Sequence, residues 1–192
     1  MASLMDKQAA PGPSRVAVRK AIVAMMPQLR VFARSLAHNP ATADDLVQDT
    51  IVKTLANIES FREGSNLRAW MFTILRNTFY SDLRKHRREV EDADGVHAGR
   101  LAELPRQDGA IDLEDFKRVF ARLCADHREV LTLVGGSGFS YEEAAEVCGC
   151  PVGTIKSRMN RARRRLSELM GVDVEQWGED AAHLPKSVTA GV

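Results

Sequence analysis

Apolar positions in this chain recur at three- and four-residue intervals, and no stretch alternates convincingly enough to form a strand. Leu67, Trp70, Met71, Ile74, Leu75 and Thr78 keep the rhythm of a helix with one buried stripe. Val47, Ile51, Leu55 and Ile58 predict a second helix over 44–58, which leaves Asp45, Gln48, Asp49 and Lys53 mainly towards solvent. Val152, Ile155, Met159, Ala162 and Leu166 place a third apolar stripe on a helix over 152–169. A short helix is predicted over 16–26, and Pro27, which has no N–H to donate, suits the first turn of another running to 37. Asn39-Pro40 reads as a turn, and Thr42 followed by Asp45 as a capping box. Further helices are predicted over 112–123, 126–134 and 141–148. The fold class is all-α: two small helical domains, 15–88 and 111–170, joined by a flexible acidic linker over 89–110. Residues 1–14 read as a disordered leader and 171–192 as an acidic tail.

Charge changes the picture more than composition does. The 192 residues carry a formal charge of only +1, yet the charges are segregated. Residues 66–88 hold six basic side chains against the single acid Asp82, and 151–170 hold six against Glu168. Between them, 89–115 contain nine acids and two arginines. Two basic helices separated by an acidic segment suggest two contacts on one polyanion, where either run alone would pass for a solvated face. Aromatic residues are only 6%, which argues against a sandwich or barrel. The longest apolar run, Ala21 to Met26, is far short of the roughly 18 residues of a membrane span, and no signal-peptide pattern opens the chain. Three cysteines cannot all pair within the chain, so a reducing cytoplasm is the expected home.

The most informative segment runs from Ser140 to Leu166. Ser140 and Glu143 form a capping box, Gly149 lies in a short turn, and Pro151 marks the entry of the next helix. That spacing predicts a helix-turn-helix. Opposite its apolar stripe, the second helix presents Ser157, Arg161 and Arg164, flanked by Lys156 and Asn160. Such side chains suit a major groove: arginine and lysine donate to guanine, asparagine pairs with adenine, and the remaining charges grip phosphates.

Two blocks carry a family resemblance. One is Asp44-Asp-Leu-Val-Gln-Asp-Thr50 with Leu67-Arg-Ala-Trp-Met-Phe-Thr-Ile-Leu-Arg-Asn77; the other is Gly138-Phe-Ser-Tyr-Glu-Glu-Ala-Ala145 with Val152-Gly-Thr-Ile-Lys-Ser-Arg-Met-Asn-Arg-Ala162. In that order they resemble the extracytoplasmic-function (ECF) sigma factors, promoter-specificity subunits of bacterial RNA polymerase. Phe79-Tyr-Ser81, Arg87-Arg-Glu-Val-Glu-Asp92, Leu133-Val-Gly-Gly136 and Cys148-Gly-Cys150 resemble the alphaproteobacterial general-stress group, EcfG-like. The resemblance implies that 15–88 is sigma region 2 and 111–170 is region 4. It implies that the 44–58 helix docks on core RNA polymerase through Asp45, Gln48, Asp49 and Lys53. The loop 61–66, with Phe61, Ser65 and Asn66, would capture a flipped −10 base, and Arg76, Asn77, Tyr80 and Arg84 would line the same path; stacking and base-edge reading suit a single strand. Lys156, Ser157, Asn160 and Arg161 would lie near −35 bases, and Thr154, Arg158 and Arg164 near backbone. The implied partners are core RNA polymerase, promoter DNA and a small helical anti-sigma factor of the NepR type, with a monomer when free and no membrane.

Other readings are weaker on the residues. Cys124-x-x-His127 and Cys148-x-Cys150 offer four metal ligands, but the one-residue cysteine spacing falls outside the usual zinc pattern, and no metal or other cofactor is expected. Gly135-Gly-Ser-Gly138 lacks the Lys-Ser/Thr of a phosphate loop and reads as a helix-ending turn. No nucleophile–base pair or paired carboxylates stand out, so the chain is not expected to be an enzyme. A stand-alone helix-turn-helix regulator would leave 44–88 without a task. A sigma-like decoy that titrates an anti-sigma factor would be fused to a receiver domain, for which no βα pattern is present.

Overall fold

The computed structural model describes residues 15–37, 39–61, 65–91 and 113–171, with side chains 15–17 and 89–91 left aside. The leader, 92–110 of the expected linker and the tail past Gly171 lie outside them. Among the described residues the chain is helical throughout, without a strand: α1 (Arg15–Leu36), α2 (Pro40–Ala56), a short 3-10 turn (Ile58–Ser60), α3 (Leu67–Glu91), α4 (Leu113–Ala121), α5 (Ala125–Val130), α6 (Tyr141–Cys148) and α7 (Val152–Met170).

The break expected at Pro27 does not occur, and α1 runs through it. Ile22, Leu29, Phe32 and Leu36 are buried along one side of α1, so packing on both sides of the proline holds the axis. The carbonyl that Pro27 leaves without a donor belongs to Val23, which is 64% exposed and lies where water can serve it. The cap expected at Thr42 is also corrected. Asn39 caps α2, its Oδ1 accepting from the Ala41 N–H at 2.8 Å, with Pro40 in the first turn. The buried face of α2 is Ala43, Leu46, Val47, Thr50 and Thr54, not the expected stripe through Leu55. Two threonines can line that core because their hydroxyls donate to the carbonyls of Leu46 and Thr50, each at 2.7 Å.

Asn66 opens α3, its Oδ1 accepting from Ala69 N–H at 3.1 Å. The helix ends at Glu91, three residues past the expected boundary at 88. Its inner face is Ala69, Met71, Phe72, Leu75 and Thr78, while Leu67, Trp70 and Ile74 are only half-buried. Phe72, absent from the expected stripe, is fully buried because it is covered twice. Phe32 of α1 stacks on it at 5.1 Å between centroids, and Phe139, just before α6, meets it edge-on at 4.8 Å.

The C-terminal helices follow the expected order. After α5 the backbone widens into a π-helical turn over Leu131–Gly136, and Ser137 N–H reaches back to the Thr132 carbonyl at 2.7 Å. Both halves of the capping box at Ser140 and Glu143 form, at 3.1 and 2.9 Å. Gly149 ends α6 at φ +62°, a left-handed conformation that side chains disfavour, and so turns the chain into α7. Ile155, Met159, Ala162 and Leu166 are buried as expected, with Val152 half-buried.

The two helical units touch. α1 packs on α5 and on the π-turn, and α3 packs on α6. A pair of glycine substitutions tests the local geometry by urea unfolding. Gly149→Ala should cost about 1–2 kcal/mol, because its backbone is left-handed. Gly153→Ala, on an ordinary helical backbone with open space around a new Cβ, should stabilise by about 0.4–1 kcal/mol.

Candidate nucleic-acid interface

The outer face of α7 carries most of the residues expected at the −35 element. Lys156, Ser157, Asn160, Arg161 and Arg164 are all exposed. Ser157 Oγ donates to the Thr154 carbonyl at 3.0 Å, and Arg161 Nε donates to the Ser157 carbonyl at 3.2 Å, so three members of the set are tied together. The Lys156 ammonium lies 6.0 Å from the centre of the Tyr141 ring. Thr154 and Arg158 are half-buried. Arg158 turns inward to pair with Asp126 of α5 at 3.0 Å, so it braces the domain. A groove of about 370 Å³ between α4–α5 and α7 adds Arg122 and Arg165 to Arg161 and Arg164, with His127 and the acid Glu168 beside them. Partial burial there pushes the His127 imidazole down, and the Arg161 charge adds to it.

The residues expected at the −10 element divide into two groups. Phe61 packs on Trp70 at 5.2 Å and is half-buried, while Ser65, Asn77 and Arg84 are exposed. Residues 62–64 of the loop lie outside the described residues. Asn66, also exposed, and the half-buried Arg76 and Tyr80 lie beside the C-terminal unit. Asn66 Nδ2 donates to Glu143 Oε1 at 2.6 Å. Arg76 Nε donates to Glu129 Oε1 at 2.6 Å, and its guanidinium lies 4.7 Å from the centre of the Tyr80 ring. Burial pushes the Tyr80 hydroxyl up to about 12, and the neighbouring Glu129 carboxylate contributes.

On α2, Asp45, Gln48, Asp49 and Lys53 are exposed as expected. Lys53 is nonetheless engaged, its Nζ donating to Thr78 Oγ1 of α3 at 3.0 Å. Two apolar neighbours on this helix, Val52 and Leu55, are 65% and 43% exposed. An acidic helix side with solvated aliphatic groups suits a protein partner better than DNA.

Sequence reasoning missed the residues that join the two units. Glu129 is fully buried, and its removal from water pushes its carboxyl up despite the Arg76 charge beside it. Arg128 Nε donates to the Ser35 carbonyl of α1 at 2.7 Å. The Arg68 guanidinium lies 3.9 Å from the centre of the Phe139 ring. One signal was available: Glu129 stands four residues before Leu133, on the buried side of an apolar run. Cys148 is buried, which pushes its thiol up to about 12 and leaves it a neutral packing group; Cys124 is exposed. Among the described residues no three His, Cys, Asp or Glu side chains are grouped to hold a metal, and no helix is long and apolar enough to cross a membrane.

Comparison with known proteins matches both units. The family Sigma-70 region 2 matches residues 21–89, and Sigma-70, region 4 matches residues 113–166. The ECF RNA polymerase sigma factor EcfG of Rhodopseudomonas palustris is 56% identical over 169 residues, covering 88% of this chain and 93% of that protein. The ECF RNA polymerase sigma factor SigC of Mycobacterium tuberculosis is 38% identical over 126 residues, 65% of this chain and 68% of its own. Among solved structures, the sigma factor RpoE of Bartonella quintana, in complex with the anti-sigma factor NepR, superposes with a TM-score of 0.71 at 54% identity; the match covers 81% of this chain and 98% of that one. A capped helix-turn-helix with a basic outer face, preceded by a region 2 bundle and matched along nearly the whole length of the EcfG relative, places the chain among the ECF sigma factors of the sigma-70 family, which are transcription regulators and not enzymes.

Proposed function

We propose that this sigma factor directs core RNA polymerase to general-stress promoters and is held inactive by a small helical anti-sigma protein of the NepR type. In this reading α2 docks on the polymerase through Asp45, Gln48 and Asp49, with Val52 and Leu55 adding apolar contact. Region 2 reads the −10 element through Phe61, Ser65, Asn66, Arg76, Asn77, Tyr80 and Arg84. Region 4 reads the −35 element with Lys156, Ser157, Asn160 and Arg161 near bases, and Thr154 and Arg164 near phosphates. Arg158, engaged with Asp126, supports the recognition helix from behind.

The observation that carries the promoter reading is the outer face of α7. Its basic and amide side chains are solvated and ordered along one side, while the opposite side is anchored in the core. A decoy that titrates an anti-sigma factor has no use for such a face. The anti-sigma assignment is supported by the Bartonella quintana relative, seen in complex with NepR. The general-stress assignment is supported by the similarity to EcfG.

Transcription in vitro tests the reading. Core polymerase with this chain should initiate at a promoter carrying the GGAAC-like −35 and GTT-like −10 elements that the family resemblance suggests, and core polymerase alone should not. Absence of specific transcripts with a folded chain overturns the assignment.

Two substitutions refine it. Arg161→Ala should cost about 1–3 kcal/mol of −35 recognition, and Arg164→Ala should weaken binding more evenly across sequences with a smaller salt dependence. Equal losses on specific and random DNA would remove Arg161 from the base-reading set. Asp49→Arg should impair assembly with core polymerase in a pull-down while changing the unfolding free energy by less than about 0.5 kcal/mol, since Asp49 is exposed. Unchanged assembly would place the docking face elsewhere.

A further inference from the structure

Region 4 carries a second cationic surface, on the flank of α7 and reaching outside the helix-turn-helix. The groove between α4–α5 and α7 is lined by Arg122, Arg161, Arg164 and Arg165 against the single acid Glu168. Glu168 is already occupied: it pairs with Arg165 at 3.0 Å and with Arg164 at 3.7 Å, and so holds both guanidiniums at the groove wall. Arg161 is tied back to the Ser157 carbonyl at 3.2 Å. Arg122, on the opposite wall, is exposed, and among the described residues its guanidinium has no hydrogen-bond or ion-pair partner.

The loop that carries Arg122 is fixed from within. Arg122 follows the last residue of α4, and its backbone N–H donates to the Val119 carbonyl at 3.0 Å. Leu123 beside it is buried, with its N–H on the Phe120 carbonyl at 3.1 Å. From the interior, Arg128 Nη1 donates to the Leu123 carbonyl at 2.5 Å. A cation on such a loop loses little freedom when it meets a ligand. The lining also selects the kind of ligand. A docking protein needs apolar area, and the groove offers little beyond Leu123, itself buried, and Cys124. A polyanion needs only the charge.

We propose that this groove is a phosphate-binding wall: Arg122, outside the helix-turn-helix, and Arg165 take up the promoter backbone beside the −35 element. The inference rests on the −35 reading of α7 given above. An α-helix with its side chains is about 10–12 Å across and the major groove is about 12 Å wide, so a helix seated there leaves its flanks to meet the two backbone walls. On one flank of α7, Lys156 lies beside Tyr141 of α6. The other flank, with Arg158, Arg161 and Arg165, lies beside α5 and the α4–α5 loop. Arg161 and Arg164 belong both to the exposed outer face and to the groove, so the phosphate path is continuous with the base-reading face. Contacts of this kind carry no sequence information; they fix register and add affinity on any duplex.

Binding of the full-length chain to two short duplexes, one carrying the GGAAC-like element and one with that element scrambled, tests the groove by fluorescence anisotropy. Loss of one phosphate contact flattens the slope of log affinity against log salt by about 0.9. Arg122→Gln should therefore weaken both duplexes alike, by about 15-fold at 50 mM salt and about fourfold at 200 mM, with thermal unfolding unchanged. Arg122→Lys, which keeps the charge, should restore the slope. A Gln variant with the wild-type slope overturns the proposal. A Lys variant as weak as the Gln one also overturns it, since a phosphate needs the charge and not the shape. A loss confined to the GGAAC-like duplex would make Arg122 a base reader, and normal duplex binding with lost assembly on core polymerase would make the groove a protein-docking surface; either result overturns the phosphate wall. The −35 reading is judged separately on the wild-type chain. Equal affinity for the two duplexes would sink that reading, and the response of Arg122→Gln would still decide the groove.

Discussion

Phe72 has to be covered from two directions, and the arrangement of the molecule follows from that requirement. It lies on α3, with Phe32 of α1 on one side and Phe139 on the other. The N-terminal helices can bury one of its faces; the second is closed by region 4. Full burial of a phenylalanine is worth about 1.5–3 kcal/mol, so parting the two units costs a meaningful share of a small domain's stability. The same helix carries Arg68, Arg76 and Tyr80 along the junction, so the apolar closure brings polar residues into contact with region 4.

Core formation in region 2 also decides which surface is left for partners. Thr50 and Thr54 turn their hydroxyls onto the carbonyls of their own helix, which lets them fill core positions that Ile51 and Leu55 would take in a simpler amphipathic pattern. Leu55 and Val52 are then presented to solvent beside Asp45, Gln48 and Asp49. Lys53 is drawn to Thr78 and ties α2 to α3. A helix whose apolar residues are displaced from its own core carries, on its outer side, the mixed apolar and acidic surface that a protein partner can cover.

What could be read from the sequence was what is decided within a few residues. The capping box at Ser140 and Glu143, the turn at Gly149 and the apolar stripe of α7 are local, and all three are present. Exposure of the α7 and α2 polar faces followed from helical period alone. The start of α2 was misplaced because Asn39-Pro40 satisfies two capping rules at once, while Thr42-x-x-Asp45 satisfies one. The break at Pro27 was misplaced because tertiary packing outweighs one lost hydrogen bond on an exposed side. The partners of Arg76 and Asn66 were beyond reach, since Glu129 and Glu143 lie 53 and 77 positions away. No periodicity carries information across such a separation, and a basic run with an unpaired look is ambiguous between nucleic acid and an acid elsewhere in the fold.

That ambiguity has a physical content, because the same arginine can serve both. A guanidinium that grips a phosphate in one state can grip a carboxylate in another, and Arg76 has Glu129 within 2.6 Å. Contact between the two units is a balance of opposing terms of similar size. Apolar contact around Phe139 favours closure by a few kcal/mol. Each buried polar atom left without a partner costs about 1–3 kcal/mol relative to water, and the junction holds several. Terms this close leave the junction between the two units only marginally favourable. Glu129 sharpens the point: its burial raises the carboxyl's preference for its neutral form, so the ionised acid that pairs with Arg76 is held against its own desolvation.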